Sequence, residues 1–486
     1  MMSQTVEVFK INRVGKMKIK ICFISLCLLL AGFLPLFSGG FPKEKSVKSE
    51  KVVLSDLIQE ALEKNPQSRA AYEEWQASLQ RIDQAKGFPD PILSYARFGQ
   101  SIETRLGPQT DKISVSQRIP FFGKLSQKGR VAEHNSSIQE ANYEKVSADI
   151  ILGVKEAFFS LYWFEKAIAI RQEEREVLKR LSRIALKKYE TDQASQQDIL
   201  KAQLEISRVS EMILAMEQGR RAVKTKLNAL LNRPSDSPFG VIGTVDTPPL
   251  NFGPQELSEW ARQSRPELKQ AEYSIAKHEE SLKLAKKNNW PDFTLMVDYI
   301  FIGKGTTTHP EDGRNAWMGA IGINIPLWRG KYDAAEAEAA VSINASRKRY
   351  EDIQNDTIAR INELYSELKT YEDQISLYQH SLLPQAEQSL KASEAGYIAG
   401  RTDFLNLLES ERMILHIKTG LYKILSDFRK ALARLERLVG QDLALSAQME
   451  SSDRRPVTFG TGTADLLYST EYEPKDQSEP VEGGVK

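Results

Sequence analysis

The sequence contains only two cysteines, Cys22 and Cys27, and both lie in its apolar N-terminal segment. The rest of the chain therefore offers no thiol for a disulfide framework or a cysteine metal site. Net charge is also nearly absent, because 66 basic residues face 65 acidic ones. A nucleic-acid-binding protein normally carries a basic face, so we predict no nucleic-acid partner.

Long apolar runs are missing beyond the N-terminus, where no stretch reaches the roughly 18 apolar residues that a membrane-spanning helix needs. The exception lies within residues 1–40, in which a basic start from Met17 to Lys20 precedes an apolar run from Ile21 to Phe37. This pattern predicts a signal segment, and Met17 is a second candidate start. An uncleaved membrane anchor is the alternative, since the run approaches the spanning length.

Recognisable catalytic patterns are missing as well. The histidines are scattered, and no two of them have the spacing of helical metal ligands. The sequence has no Gly-rich phosphate loop, nucleophile elbow or zinc motif. The run Glu409–Glu411 resembles a carboxylate pair, but acidic residues are common on solvated helix faces. We therefore predict no enzymatic activity, no cofactor and no resident metal.

What the chain does contain is an internal repeat. Four landmarks recur in the same order: Leu57–Pro66 with Leu257–Pro266, Phe88–Pro91 with Trp290–Phe293, Gln117–Lys124 with Asn324–Lys331, and Tyr189, Asp198 and Leu200 with Tyr397, Asp403 and Leu405. A repeat this long predicts two copies of a structural half rather than a short solenoid unit. We place the halves at 54–232 and 255–440, with a Pro- and Gly-rich linker at 233–254 and a polar tail at 441–486.

Each half contains a segment in which the apolar period changes from 3.6 to 2, which predicts strand hairpins over 92–119 and 293–325. In the first hairpin we expect strands at 92–98 and 112–119 with a polar loop between them. In the second, alternation puts apolar side chains on one face: Phe293, Leu295, Val297, Ile321 and Ile323. Strands of about ten residues suit a tilted transmembrane β-strand. Soluble hairpins packed on helices are the alternative.

Very long helices follow each hairpin. Pairs are predicted over 124–231 and 331–439, and their apolar residues step by 3 and 4 in turn. This spacing is typical of helices packed side by side in coiled-coil fashion. Pro384 should kink or loosen the third long helix.

Four strands are too few to close a barrel, and a membrane does not tolerate open sheet edges. Three chains with four strands each would supply twelve, an even number that can close. The sequence therefore predicts a homotrimer.

This organisation resembles the TolC family of outer-membrane factors from about Leu54 to Val439. The specific marks are the corners Ile119–Lys124 and Ile325–Lys331, the turn Tyr397–Gly400 followed by Asp403–Leu405, and the segment Ala229–Pro234. The corners at Phe88 and Trp290 look most like those of the heavy-metal-efflux branch.

The resemblance implies a mainly α fold with a small β part. A trimeric 12-stranded outer-membrane β-barrel would continue into a long α-helical barrel with a mixed equatorial belt. Such a protein sits in outer-membrane lipid with a large periplasmic part. It is a passive exit duct that works with a periplasmic adaptor, or membrane fusion, protein and an inner-membrane efflux pump of the RND type. A secreted or periplasmic coiled-coil scaffold without channel activity is the alternative.

The resemblance also implies functional sites at the periplasmic end. Two tip turns would dock the adaptor, with Tyr189, Asp192 and Asp198 in the first and Tyr397, Gly400, Arg401 and Asp403 in the second. Asp198 and Asp403 are also candidate helix N-caps, and capping without docking is the alternative. Because Asp192 stands where the second tip has Gly400, we expect the first turn to differ in shape.

Just past the second tip, Asn406 and Glu409 share a helix face, while Leu405 and Leu408 suit helix packing. By resemblance, Asn406 and Glu409 line the periplasmic aperture. Threefold symmetry would turn Glu409 into a ring of three carboxylates that attracts cations. An ordinary solvated glutamate is the alternative.

Overall fold

The computed structural model describes residues 51–193, 195–243, 245–306 and 310–443. The predicted signal segment and most of the predicted polar tail lie outside the described residues. The chain is mostly helical with a small sheet, as the sequence predicts.

The elements before residue 250 are β1 Lys51–Val52, α1 Leu54–Lys64, α2 Pro66–Lys86, β2 Ile92–Thr104, β3 Gly107–Ile119, α3 Lys124–Glu190, α4 Gln196–Leu230 and β4 Val241–Ile242. Those after it are α5 Pro254–Ser264, α6 Pro266–Asn288, β5 Phe293–Ile302, β6 Ala316–Ile323, α7 Arg329–Leu377, a π-helical turn Tyr378–Leu382, α8 Leu383–Ile398 and α9 Phe404–Val439. The long helices begin and end within two residues of their predicted bounds.

The break between α1 and α2 follows from the Asn65-Pro66 pair. Pro66 cannot continue α1 but suits the first position of α2. The Asn65 side chain accepts a hydrogen bond from the backbone N–H of Gln67 at 2.8 Å, which caps α2. A proline also shapes the third long helix, because the π-helical turn directly precedes Leu383 and Pro384. The predicted loosening at Pro384 is therefore confirmed.

The main sheet has the strand order β2-β3-β5-β6, with every neighbouring pair antiparallel. Its two halves join where β3 pairs with β5, with Val115 opposite Val297. Within the described residues, β2 and β6 each have only one partner strand, so both edges of the sheet are open.

Two strand predictions were wrong. The first hairpin has no long polar loop, because β2 and β3 extend until Thr104 pairs with Gly107. Gly107 supplies the positive φ of 114° that the tight turn needs. Second, the predicted linker contains a short strand, because Val241 and Ile242 pair in parallel with Lys51 and Val52.

The helices pack around apolar clusters at several heights. One cluster joins α1 to α3 and α4 through Leu57, Val154 and Leu227. Another joins α5 to α7 and α9 through Leu257, Leu368 and Phe428. A third lies beside the turns between the long helices and includes Leu181, Val209 and Phe404. In the part of the chain that the structure describes, no helix combines the length and apolar character needed to cross a membrane.

Candidate functional site

The apolar face of the sheet forms one continuous exposed surface. The register aligns Leu295 with Ile321 and Phe293 with Ile323. Val297 is 58% exposed and Ile321 is 75% exposed. An exposed apolar surface that covers four strands marks an interaction site with lipid or protein.

The opposite face of the same sheet carries polar side chains that are buried at its centre, on β3 and β5. Asp298 is fully buried there, and its carboxylate lies 2.8 Å from the ammonium group of Lys112. Ser114 pairs with Asp298 in the register and is also buried. The two faces thus differ in chemistry in the way that the alternating sequence predicts.

The corner where β5 begins is held by a single carboxylate, Asp292. Its oxygens accept hydrogen bonds from the ammonium group of Lys124 at 2.7 Å, the guanidinium group of Arg118 at 2.7 Å and the backbone N–H of Phe121 at 2.9 Å. Asp292 therefore ties the start of β5 to the segment that joins β3 to α3.

The charged partners of Asp292 dominate its ionisation. Burial alone would raise the pKa of this carboxyl, but the hydrogen bonds from Lys124, Phe121 and Arg118 outweigh burial and lower the pKa to about 2. Lys124 is itself almost completely buried. Its ammonium group also donates to the carbonyl oxygen of Trp290 at 2.8 Å. The internal repeat of the sequence marks this corner but does not reveal the role of Asp292.

The first tip turn joins α3 to α4 and has the hydrogen bonds of a Schellman cap. The backbone N–H of Gln193 donates to the carbonyl of Lys188 at 2.8 Å, and that of Asp192 donates to Tyr189 at 3.1 Å. Asp192 takes a left-handed conformation with φ of 56°. Aspartate tolerates this conformation better than most residues, although less well than glycine.

The second tip turn repeats that pattern. The N–H of Arg401 donates to Gly396 at 2.8 Å, and that of Gly400 donates to Tyr397 at 3.2 Å, with φ of 70° at Gly400. The prediction that Asp192 gives the first turn a different shape is therefore wrong. Both turns use the same backbone hydrogen bonds and one left-handed residue.

The two helices that leave the tips are capped differently. Asp403 caps α9, since its carboxylate accepts a hydrogen bond from the N–H of Asn406 at 3.0 Å. The same prediction for Asp198 is wrong, because α4 already begins at Gln196, two residues before Asp198. In the first half Ser195 is the N-cap and Asp198 lies inside the first turn of α4. The Ser195 hydroxyl donates to Asp198 at 3.4 Å.

A lysine links the two tips. The Lys188 ammonium group donates to the carbonyl oxygen of Tyr397 at 2.5 Å and lies 4.7 Å from the centre of the Tyr397 ring. Tyr397 is only 4% exposed and packs against Phe404, so it supports the tip from within the chain. The predicted tip residues that are exposed are Tyr189, Asp192, Gly400, Arg401 and Asp403.

The predicted aperture residues lie on the exposed face of α9. Asn406 is exposed, and the side chain of Glu409 is 70% exposed. The guanidinium group of Arg412 lies 3.9 Å from the Glu409 carboxylate.

The packing face of α9 differs by one position from the prediction. Leu408 is buried as expected, but Leu405 is half exposed, and Leu407 packs in its place. Helical geometry puts Phe404, Leu407 and Leu408 on one side of the first turns, away from Leu405.

Glu411 lies on the opposite side of α9 from Glu409 and is buried. It lines a cavity between α3, α8 and α9, close to Glu174. Burial, followed by repulsion from Glu174, raises the pKa of Glu411 to about 7. The run Glu409–Glu411 is therefore not a carboxylate pair. Among the described residues, no group of histidine, aspartate and glutamate side chains has an arrangement that could hold a metal ion.

Comparison with known proteins identifies relatives that cover most of the chain. The family model described as "Outer membrane efflux protein" matches residues 57–233 and 257–441, once in each half of the chain. The cobalt-zinc-cadmium resistance protein CzcC of Cupriavidus metallidurans is 21% identical over 404 residues, which is 82% of this chain and 92% of CzcC. The probable outer membrane lipoprotein SilC of Salmonella typhimurium is 23% identical over 62% of this chain and 66% of SilC.

Solved structures share the fold. A crystal structure of CusC, described as forming a transmembrane channel, superposes with a TM-score of 0.68 at 18% identity and covers 80% of this chain and 92% of CusC. At that identity the superposition establishes the fold of this chain.

Proposed function

The chain belongs to the outer membrane efflux protein family, and from this premise we propose that three copies form one passive exit duct. Membership confirms the predicted TolC-family resemblance and the location in the outer membrane with a large periplasmic part. The trimer, its closed barrel and its partners are the proposal.

One observation carries the proposal: the sheet is incomplete by itself. It has four strands, two open edges and an exposed apolar face. Because the strand number is even and all neighbours are antiparallel, β6 of one copy can pair antiparallel with β2 of the next. Three copies then close a barrel of twelve strands, and no edge is left in the lipid.

The proposed barrel orients each face of the sheet. We place Phe293, Leu295, Val297, Ile321 and Ile323 against lipid, since they share the exposed apolar side of β5 and β6. The polar side, with Lys112 and Asp298, would face the lumen. This arrangement matches the chemistry of outer-membrane barrels, which are apolar outside and polar within.

The long helices would extend the duct on the periplasmic side. The helix α3 has 67 residues, and a straight helix of that length spans about 100 Å. Its far end carries the first tip turn, and the second lies beside it through the contact of Lys188 with Tyr397. We propose the two turns as the docking surface for a periplasmic adaptor that connects the duct to an inner-membrane pump. The exposed Arg401 and Asp403 offer charged contacts there.

The aperture follows from the same arrangement. Three copies of Glu409, with Asn406 beside them, would ring the periplasmic entrance and favour cations. We propose metal cations as the cargo class, supported by the metal-resistance name of the relative CzcC.

Recording single channels from the purified trimer in a planar bilayer tests this function. We expect discrete conductance steps, with a preference for cations that falls in the Glu409→Gln variant. Glu387→Gln, a change of an exposed carboxylate on α8, is the matched control. Equal cation selectivity in the wild type and both variants would show that Glu409 does not line the aperture.

A coiled-coil scaffold without channel activity is the second candidate, since it explains the long helices. It does not explain the exposed apolar face of the sheet. A scaffold would appear in the soluble periplasmic extract, whereas the proposed duct requires detergent for its release.

A further inference from the structure

The contacts that Asp292 makes at its corner have no equivalent at the matching corner of the repeat. The repeat aligns Trp290–Phe293 with Phe88–Pro91, and Ile119–Lys124 with Ile325–Lys331. Asp90 therefore corresponds to Asp292, and Lys331 corresponds to Lys124. At the corner formed within the chain, the Asp292 carboxylate lies 2.7 Å from the Lys124 ammonium group, and both side chains are buried.

Their counterparts are unpaired. Asp90 and Lys331 are both exposed, and neither has an ion pair within the described part of the chain. The Lys331 ammonium group lies 5.9 Å from the centre of the neighbouring Tyr332 ring. The reason is topological, because Asp90 precedes the edge strand β2 and Lys331 follows the opposite edge strand β6.

The aromatic packing shows the same asymmetry. Within the chain, Phe121 stacks on Trp290 with ring centres 5.1 Å apart. The counterparts of this pair are Leu327 and Phe88, which are 71% and 66% exposed. Leu327 and Phe88 thus lack the aromatic contact that their counterparts make. This observation does not depend on the unpaired charges of Asp90 and Lys331.

We propose that Asp90 of one copy pairs with Lys331 of the next, and that Phe88 packs on Leu327 across the same boundary. The inference rests on the proposed trimer and names the contact that joins its subunits. The partner of the unpaired corner is therefore a second copy of this chain.

The strand register supports the assignment. The pairs Gln117–Leu295 and Val115–Val297 join β3 to β5. Transferring them through the repeat gives Ile323 opposite Leu93 and Ile321 opposite Tyr95 between copies. All four side chains lie on the exposed apolar side of the sheet. The transferred register therefore keeps the apolar face continuous across the boundary, whereas a shift by one residue would invert it.

Helix packing leads to the same boundary. Within the chain, α3 packs against both α2 and α6, whereas α7 packs against α6. The repeat equates α7 with α3 and α6 with α2. The remaining side of α7 is therefore suited to α2 of the next copy, directly below the proposed ion pair.

The boundary pair should be weaker than the pair within the chain. Arg118 supplies Asp292 with a second cation, but Asn324 occupies the corresponding position in the second half. An amide donates a weaker hydrogen bond to a carboxylate than a guanidinium group does.

Crosslinking tests the proposal on the full-length protein in mild detergent. The Asp90→Cys, Lys331→Cys double variant, in which Cys22 and Cys27 are changed to serine, is treated with a short bifunctional thiol reagent. We expect covalent dimers and closed trimers on a denaturing gel, which neither single variant gives. The control is Asp90→Cys with Lys348→Cys, because Lys348 is an exposed lysine farther along α7, and it should remain monomeric.

Charge reversal gives a second readout. Asp90→Lys should lower the apparent association constant of the trimer by roughly tenfold or more, because three exposed pairs are broken at once. Combining it with Lys331→Asp should restore association. A wild-type protein that is monomeric overturns both the duct and this contact. A stable trimer without the Asp90–Lys331 crosslink overturns the contact alone.

Discussion

The two strand-to-helix corners of this chain have related sequences but different surroundings. Asp292 meets Lys124 in a buried site, whereas Asp90 and Lys331 lie exposed at opposite ends of the strand order. The same short motif thus closes a contact inside the chain in one place and leaves half a contact on each edge in the other. This difference is the basis of the contact that we propose between copies of the chain.

The largest expected effect separates the two corners directly. Asp292→Ala leaves the buried Lys124 ammonium group without a counter-charge, so it should lower the free energy of unfolding by roughly 3–5 kcal/mol. Asp90→Ala removes at most one weak, exposed ion pair between copies and should change it by no more than about 1 kcal/mol per chain. Urea unfolding of both variants in detergent measures the difference. Similar losses at the two positions would contradict the proposed asymmetry.

A second effect tests the surface that both corners border. Val297→Lys puts a charge on the apolar face and should cost about 2–4 kcal/mol if that face meets lipid near the bilayer midplane. Thr294→Lys, on the polar side of the same strand, should cost little. The measurement is folding into lipid vesicles. If the two lysines cost the same, the assigned facing of β5 is wrong.

The pH dependence sharpens the comparison further. The folded-state pKa of Asp292 is depressed from 3.8 to about 2, so its contribution to stability is present above pH 3.8 and is lost as the pH falls through about 2. The loss should amount to about 2 kcal/mol. Unfolding measured between pH 5 and pH 2 should show this slope in the wild type and a flatter one in Asp292→Asn. Matching slopes would show that Asp292 does not carry the effect.

The smallest expected effect compares the two tips. Asp403→Ala removes the side-chain cap of α9 and should lower stability by roughly 1 kcal/mol. Asp198→Ala should cost less, since Ser195 is the cap residue of α4. Hydrogen exchange at the starts of α4 and α9 measures the effect of both changes.

Reversing the charge at Arg401 tests adaptor docking at the second tip. It should weaken adaptor pull-down without changing hydrogen exchange, and an unchanged pull-down would favour capping alone.

The sequence predicted most of the fold because its signals are local. The alternation in β5 and β6 and the effect of Pro384 both depend on near neighbours in the chain. The parallel pairing of Lys51 with Val241 was missed, since nothing local marks a pairing between such distant residues.

The site was predicted less completely, for a related reason. The cap at Asp403 was found, but the one at Ser195 was overlooked in favour of Asp198, which matched its counterpart by alignment alone. The role of Asp292 depends on Lys124, which is remote in sequence and adjacent only after the sheet forms. The repeat itself contained the signal, because it placed an acid and a lysine at both corners.

The mass of the full-length protein extracted from outer membranes into lipid nanodiscs tests the central claim most directly. The proposed duct predicts a complex of three chains, because four strands per chain require two further copies for closure. A folded, membrane-inserted complex of one or two chains would contradict it.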